Sequence, residues 1–244
     1  TNLINFSDKI FAIFKQEANF YKRRGGNVFW IGHPMVDLTK KLPLKKDSRT
    51  ILKLRPNQNI LLLMPASRPQ ELQYILPTFL KTAKKLQLRY PSLIVYIPSC
   101  RKVFDEKFRK GLEKYEIKGK VISQQDDSEL MLYIYSLAKL ALCKSGTVNM
   151  ELALYGIPQI IGYKVSRVTA FIAKRILNFK VRFISPVNLL VKKFIIPEFV
   201  QKNFNEKKIF YKACRILDLT SEKAKIKKGY DLLKKELGEA GVVD

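Results

Sequence analysis

The residues best suited to chemistry fall in two short turns. In Met64-Pro-Ala-Ser-Arg-Pro-Gln70 an apolar run gives way to a helical pattern, with Ser67 and Gln70 spaced as a capping box and Pro69 inside the first turn. Such a helix start presents unpaired backbone N–H groups and the positive end of the helix dipole, and Arg68 adds a planar guanidinium suited to phosphate. Anion binding is the chemistry this favours; an ordinary capped helix with Arg68 in water is the alternative. Cys143-Lys-Ser-Gly-Thr147 repeats the device after a second apolar run, where Gly146 lets a ligand approach the backbone and Thr147 is available as an N-cap. Glu151 follows one helical turn later. Its carboxylate can accept both hydroxyls of a ribose, or it can simply complement the helix dipole.

The elements that must position these turns follow from periodicity. Strands are expected over 60–64, 93–97, 140–143 and 159–163, and helices over 70–86, 102–115, 128–137 and 148–155, the last stopped by Gly156 with Pro158 beyond. This alternation predicts an α/β fold: a Rossmann-like parallel sheet with helices on both faces. Ligands of open α/β sheets sit outside the carboxyl ends of the strands, so two such turns on one sheet can grip a diphosphate between them. Ahead of the sheet lies an entry segment: a short strand over 9–13, a helical turn, the run Val28-Phe-Trp-Ile-Gly-His-Pro34, and a charged linker to Arg55. His33 invites assignment as a base, but a Gly-His-Pro turn after an apolar strand reads better as a structural corner at a domain junction. A Lys-rich helix is expected over 221–237.

The 244-residue chain is 47% hydrophobic, enough for one sizeable core and too apolar for a disordered chain. No apolar run reaches the roughly 18 residues of a membrane span, and no signal-peptide pattern opens the chain, which predicts a soluble or peripheral protein. Cys100, Cys143 and Cys214 are far apart, and His33 is the single histidine. Neither a disulfide framework nor a zinc site is expected, and no cofactor. The start at Thr1 reads as part of something longer.

Six motifs carry a resemblance: Ile31-Gly-His-Pro-Met-Val-Asp37, Met64-Pro-Ala-Ser-Arg-Pro-Gln-Glu71, Lys144-Ser-Gly-Thr-Val-Asn-Met-Glu151, Tyr163-Lys-Val-Ser166, Val187-Asn-Leu-Leu190 and Pro197-Glu-Phe-Val-Gln201. In this order they resemble the lipid-A-disaccharide synthases, matching the carboxyl-terminal, donor-binding half and the tail of the amino-terminal half. The resemblance implies a two-domain GT-B-type glycosyltransferase, with 1–36 as the end of the amino-terminal acceptor domain and a hinge at Gly32, His33 and Pro34, and 37–244 as the UDP-sugar donor domain. It implies inverting, metal-independent transfer of 2,3-diacylglucosamine from UDP-2,3-diacylglucosamine to 2,3-diacylglucosamine 1-phosphate, forming lipid A disaccharide. By the same resemblance Ser67, Arg68, Glu71, Ser145, Gly146, Thr147 and Glu151 bind the donor, and Asn188, Glu198 and Gln201 contact donor or acceptor.

Three positions depart from the family pattern: Ala66 replaces a glycine, Lys144 a small residue and Val187 a proline. The family's acidic base belongs to the absent amino-terminal half, so no catalytic residue is assigned and that half is expected in cis or in trans. A homodimer stays open. The implied location is cytoplasmic, peripheral on the inner face of an inner membrane or the equivalent organelle compartment. A non-catalytic UDP-sugar-binding remnant or separated subunit, and another sugar-nucleotide enzyme such as an epimerase, stand as alternatives.

The net charge of +25 raises a nucleic-acid reading, but no zinc-finger spacing, RNP-like aromatic stripe or helix-turn-helix signal accompanies it. A solvated Lys-rich surface is the plain alternative. The stretch 164–182 holds no acidic residue, and a basic helix is expected over 165–179. At about 100° per residue Lys164, Arg167, Lys174 and Arg175 gather beside an apolar face, with Phe171 among them. That suits an anionic membrane surface; a core helix with a wet basic back is the alternative.

Overall fold

Ile60, Leu61, Leu62 and Leu63 are all fully buried, as a strand covered on both faces must be, and each contributes about 1.5–3 kcal/mol relative to exposure. They form the centre of the fold in the computed structural model, which describes residues 2–39, 41–65, 68–99, 101–123, 128–166 and 182–243. The entry segment holds α1 (Asn2–Asn5), β1 (Ile10–Ala12), α2 (Lys15–Lys22) and β2 (Val28–Trp30). After it come α3 (Lys45–Leu52), β3 (Asn59–Met64), α4 (Pro69–Arg89), β4 (Leu93–Pro98), α5 (Lys102–Lys114), β5 (Gly119–Ile122) and α6 (Ser128–Leu137). The remaining elements are β6 (Ala138–Lys144), α7 (Val148–Leu154), β7 (Gln159–Tyr163), α8 (Pro186–Val191), β8 (Glu198–Val200), α9 (Glu206–Asp218) and α10 (Thr220–Leu237).

Strands β5-β4-β3-β6-β7-β8 form one parallel sheet in that order. The chain moves outward from β3 in one direction and from β6 in the other, and right-handed crossovers therefore set helices on both faces. The reversal falls between β3 and β6, whose carboxyl ends are in register with Met64 opposite Cys143. Both candidate turns thus leave the sheet side by side at its topological switch point.

Several elements were not apparent from periodicity. Residues 45–52, expected as linker, form α3: only Ser48 and Leu52 of it are buried, so its charged sequence shows no apolar stripe. Ser48 Oγ accepts from Ser136 Oγ at 2.6 Å, tying α3 to α6. Strands β5 and β8 are short, and β8 alternates no apolar face, which leaves them below the threshold of pattern reading. The expected basic helix does not begin at Val165, because Lys164, Val165 and Ser166 follow β7 without regular structure. Its remainder, 167–179, lies outside the described residues.

The entry segment has a core of its own. Parallel β1 and β2 pair Ile10 with Val28, and Ile10, Ala12, Ala18 and Val28 pack with Ile4, Tyr21 and Trp30. Their other face leaves Phe11 and Phe29 exposed at 63% and 45%, with ring centroids 5.8 Å apart. The chain end folds back onto this segment. Leu237 O accepts from His33 N at 2.8 Å, and the Asp37 carboxylate accepts from Gly241 N at 2.6 Å and Val242 N at 3.0 Å. Gly32 (φ +90°) and Gly238 (φ +91°) meet so closely that a Cβ on Gly238 would stand 3.0 Å from Gly32 Cα.

Candidate functional site

A cavity of about 310 Å³ opens at the switch point. Met64 ends β3 in its wall, Pro98 and Ser99 end β4, Lys144 to Thr147 follow β6, and Met131 and Tyr135 reach over it from α6. Gly146 is the bare spot in this lining, since a Cβ built there meets nothing within 4 Å. The amide N–H groups of Thr147 and Val148 carry no acceptor among the described residues. A turn with exposed amides and no side chain in front of them is a surface that an oxyanion can approach.

The caps differ from expectation. At α4 the N-cap position is Arg68 in extended backbone (φ −124°, ψ 140°) with Pro69 as the first helical residue, while Ser67, expected as the cap, lies outside the described residues. Arg68 is exposed, and its guanidinium has no partner among the described residues. At α7 Thr147 holds the cap position with helical backbone and caps nothing; the Asn149 Oδ1 reaches back to accept from Gly146 N at 2.8 Å, which fixes the turn ahead of the helix. Ser145 Oγ donates to Ile184 O, tying the turn to the loop ahead of α8.

Two carboxylates stand beneath the cavity, and both are engaged. Glu71 Oε2 lies 2.7 Å from Lys144 Nζ, with both side chains mostly buried, so the lysine that departs from the family pattern brings its own counter-ion across the switch. Glu151 is largely buried and accepts from Tyr135 OH at 3.1 Å. Burial pushes its carboxyl above the usual carboxylate range, and the Tyr135 hydrogen bond partly offsets that shift. Tyr135 in turn is pushed up by burial and by the neighbouring Glu151. Sequence reading missed Tyr135 and Met131; their four-residue spacing, which sets both on one helix face, was the signal present.

Asn188 and Glu198 form a separate knot. Asn188 is fully buried: its Nδ2 donates to Ile196 O (2.8 Å) and Glu198 Oε1 (2.7 Å), and its Oδ1 accepts from Ile195 N (2.8 Å) and Ile196 N (3.0 Å). Glu198 also accepts from Ile184 N, Ser185 N and Ser185 Oγ. With its amide fully used, Asn188 is placed to hold the loop that Ser145 also grips, and a direct ligand contact is not what this geometry offers. Gln201 sits after β8 in left-handed backbone (φ 50°).

His33 accepts from Met35 N at its Nδ1 (3.1 Å), packs with its ring tilted against Phe14, and is held below the ordinary histidine range by burial. Gly32, His33 and Pro34 therefore form a packed corner against the chain end. Lys164 is half-buried just after β7, whereas Arg167, Phe171, Lys174 and Arg175 lie outside the described residues. No described helix is long and apolar enough to cross a membrane.

Among solved structures, the fold is similar to that of UDP-GlcNAc 2-epimerase from Neisseria meningitidis bound to UDP-GlcNAc (TM-score 0.62, 15% identity, 96% of this chain and 61% of that one). It is also similar to WaaG, a glycosyltransferase involved in lipopolysaccharide biosynthesis (TM-score 0.53, 15% identity, 91% and 56%). At such identity the likeness concerns the fold, a Rossmann-like half of the GT-B type. Sequence relatives say more. The chain is 45% identical over 244 residues to the lipid-A-disaccharide synthase of Prochlorococcus marinus (strain MIT 9313), covering 100% of this chain and 62% of that protein. It is 35% identical over 239 residues to that of Synechocystis sp. (strain ATCC 27184 / PCC 6803 / Kazusa), covering 98% and 60%. The chain thus spans about three-fifths of the length of the curated relatives it matches. The profile described as lipid-A-disaccharide synthetase matches residues 1–242, and the chain belongs to that family.

Proposed function

We propose that this chain is the donor-binding part of a lipid A glycosyltransferase that moves 2,3-diacylglucosamine from UDP onto 2,3-diacylglucosamine 1-phosphate. The observation that carries the reading is the bare Ser145-Gly146-Thr147 turn at the switch point of a family member, with Lys144 in the same lining and Arg68 at the N-cap of the helix that follows the adjacent strand β3. The UDP diphosphate would lie along that turn, and Glu151 would receive the ribose once Tyr135 yields its hydrogen bond.

The acceptor hydroxyl then attacks the anomeric carbon from the face opposite UDP. Its C–O bond forms as the bond to the diphosphate oxygen breaks, the configuration inverts, the hydroxyl proton passes to a base, and UDP leaves as an anion. Pre-oriented amides and the Arg68 guanidinium would meet that charge without a metal, Lys144 being already paired with Glu71.

Glu71 and Glu151 are held by Lys144 and Tyr135, so the base comes from an amino-terminal part in cis or in trans. Two short parallel strands with Phe11 and Phe29 bare on one face support such a covering part. The acylated substrates bring the protein to a membrane face, where Lys164, Arg167, Phe171, Lys174 and Arg175 are the proposed anionic-surface contacts.

The test is UDP release from acylated donor and acceptor by the chain alone and by the chain mixed with, or fused to, the amino-terminal part of a relative. Transfer only with that part is expected. Robust turnover by residues 1–244 alone would contradict the assignment of the base, and no transfer by a mixture that binds UDP would favour a non-catalytic UDP-sugar-binding subunit.

A further inference from the structure

The amino-terminal edge of the six-stranded sheet carries a second concavity, at the opposite end of β6 from the donor cavity. Lys139 and Lys144 are five residues apart on that strand, roughly 17 Å. The concavity has a volume of about 350 Å³ and runs between α7 and α10, over Ala138, Gly156 and Pro158. Lys139 stands in it, with Lys223, Lys227 and Lys234 along the α10 side.

The cations here outnumber the carboxylates and form no ion pair among the described residues. Lys139 is exposed in the cleft and faces Lys45, Lys223 and Arg49; desolvation first, then these like charges, hold its ammonium below the ordinary lysine range. Among the described residues, no carboxylate lies within ion-pair distance of Lys45, Arg49, Lys139, Lys223, Lys227 or Lys234. Asp231, the acidic residue of the lining, pairs with none of them. Arg49 donates to the carbonyls of Lys45, Pro56 and Gln58, and Lys223 to that of Leu217, all neutral acceptors. The carboxyl end of α7 offers about half a negative charge at most, too little for this many cations.

The floor is preformed. Tyr230 OH donates to Ile157 O at 2.8 Å and accepts from Gln159 Nε2 at 3.1 Å, which locks α10 to the strand ahead of the rim lysines. We propose that this cleft binds a phosphate-bearing ligand, a phosphomonoester or diphosphate that engages Lys139 on the β6 side and Lys223, Lys227 and Lys234 on the α10 side. Several converging ammonium groups match an anion of more than one charge, and Ala138, Pro158 and Ile226 give an apolar wall for whatever carries the phosphate. The phosphate comes either from a free small molecule or from a lipid headgroup.

The test titrates the full chain with inorganic pyrophosphate by calorimetry at saturating UDP, and in parallel sediments it with vesicles of phosphatidic acid in phosphatidylcholine. Lys139→Gln, and separately the exposed pair Lys227→Gln and Lys234→Gln, should each weaken pyrophosphate about tenfold or lower vesicle binding as much, while the melting temperature confirms folding. Loss of the pyrophosphate signal alone identifies a free phosphate, and loss of vesicle binding alone identifies a headgroup. Unchanged affinity for both probes in both variants overturns the proposal, as does pyrophosphate binding that Gly146→Val abolishes.

Discussion

Replacing Asn188 by alanine separates a residue that touches ligand from one that holds the loop. The side chain makes four hydrogen bonds, three with backbone groups and one with the Glu198 carboxylate, and it is wholly buried. At about 1 kcal/mol net for each neutral bond and about 2 kcal/mol for the charged one, the sum is about 5 kcal/mol. The bonds form one network and are not additive, so about 3–4 kcal/mol is the expected loss. With a urea slope of about 3 kcal/mol/M at this chain length, the unfolding midpoint followed by circular dichroism falls by about 1 M. UDP affinity at low urea should change little by comparison. A midpoint shifted by less than about 0.2 M, together with a tenfold weaker UDP, would refute the loop-holding role and return Asn188 to ligand contact.

Glu151→Gln tests the buried carboxylate. Because folding raises its pKa, the charged form is disfavoured in the folded state: the stability this group contributes is fully present below about pH 4 and is lost as pH rises through the folded value. The glutamine variant should match the wild type in acid and exceed it at pH 7 in thermal melts, and a difference independent of pH would contradict the burial argument. Gly229→Ala in α10 should destabilise despite the better helix propensity of alanine, about 1 kcal/mol, because its Cβ would overlap the Ile195 side chain; a raised melting temperature would show that Ile195 gives way freely.

Strands buried on both faces announce themselves as unbroken apolar runs, and for that reason 60–64, 93–97, 140–143 and 159–163 were legible, with the helices between them. Helix α3 was not, because Lys45, Lys46, Asp47 and Arg49 dominate a segment that buries only two side chains. The two turns were legible from Gly146, Arg68 and their flanking elements, but their adjacency depends on strand order, which no local pattern encodes. The Glu71–Lys144 pair and the Tyr135–Glu151 bond are likewise products of topology, joining residues distant in sequence. Asn188 shows the opposite failure. Its motif marked it as important, while its complete burial, and hence its loop-holding role, was invisible in residue type.

The central claim is metal-independent UDP binding at the turn between β6 and α7, and calorimetric titration of UDP in the presence of a chelator tests it most directly. The account predicts one saturable site, weakened by Arg68→Ala by about 1.5–3 kcal/mol, the scale of a charge-assisted hydrogen bond. Gly146→Val should lower affinity at least as much with little change in thermal stability, since the new side chain meets only the space the diphosphate would fill. Binding that requires magnesium or manganese, or that neither variant weakens, would contradict it.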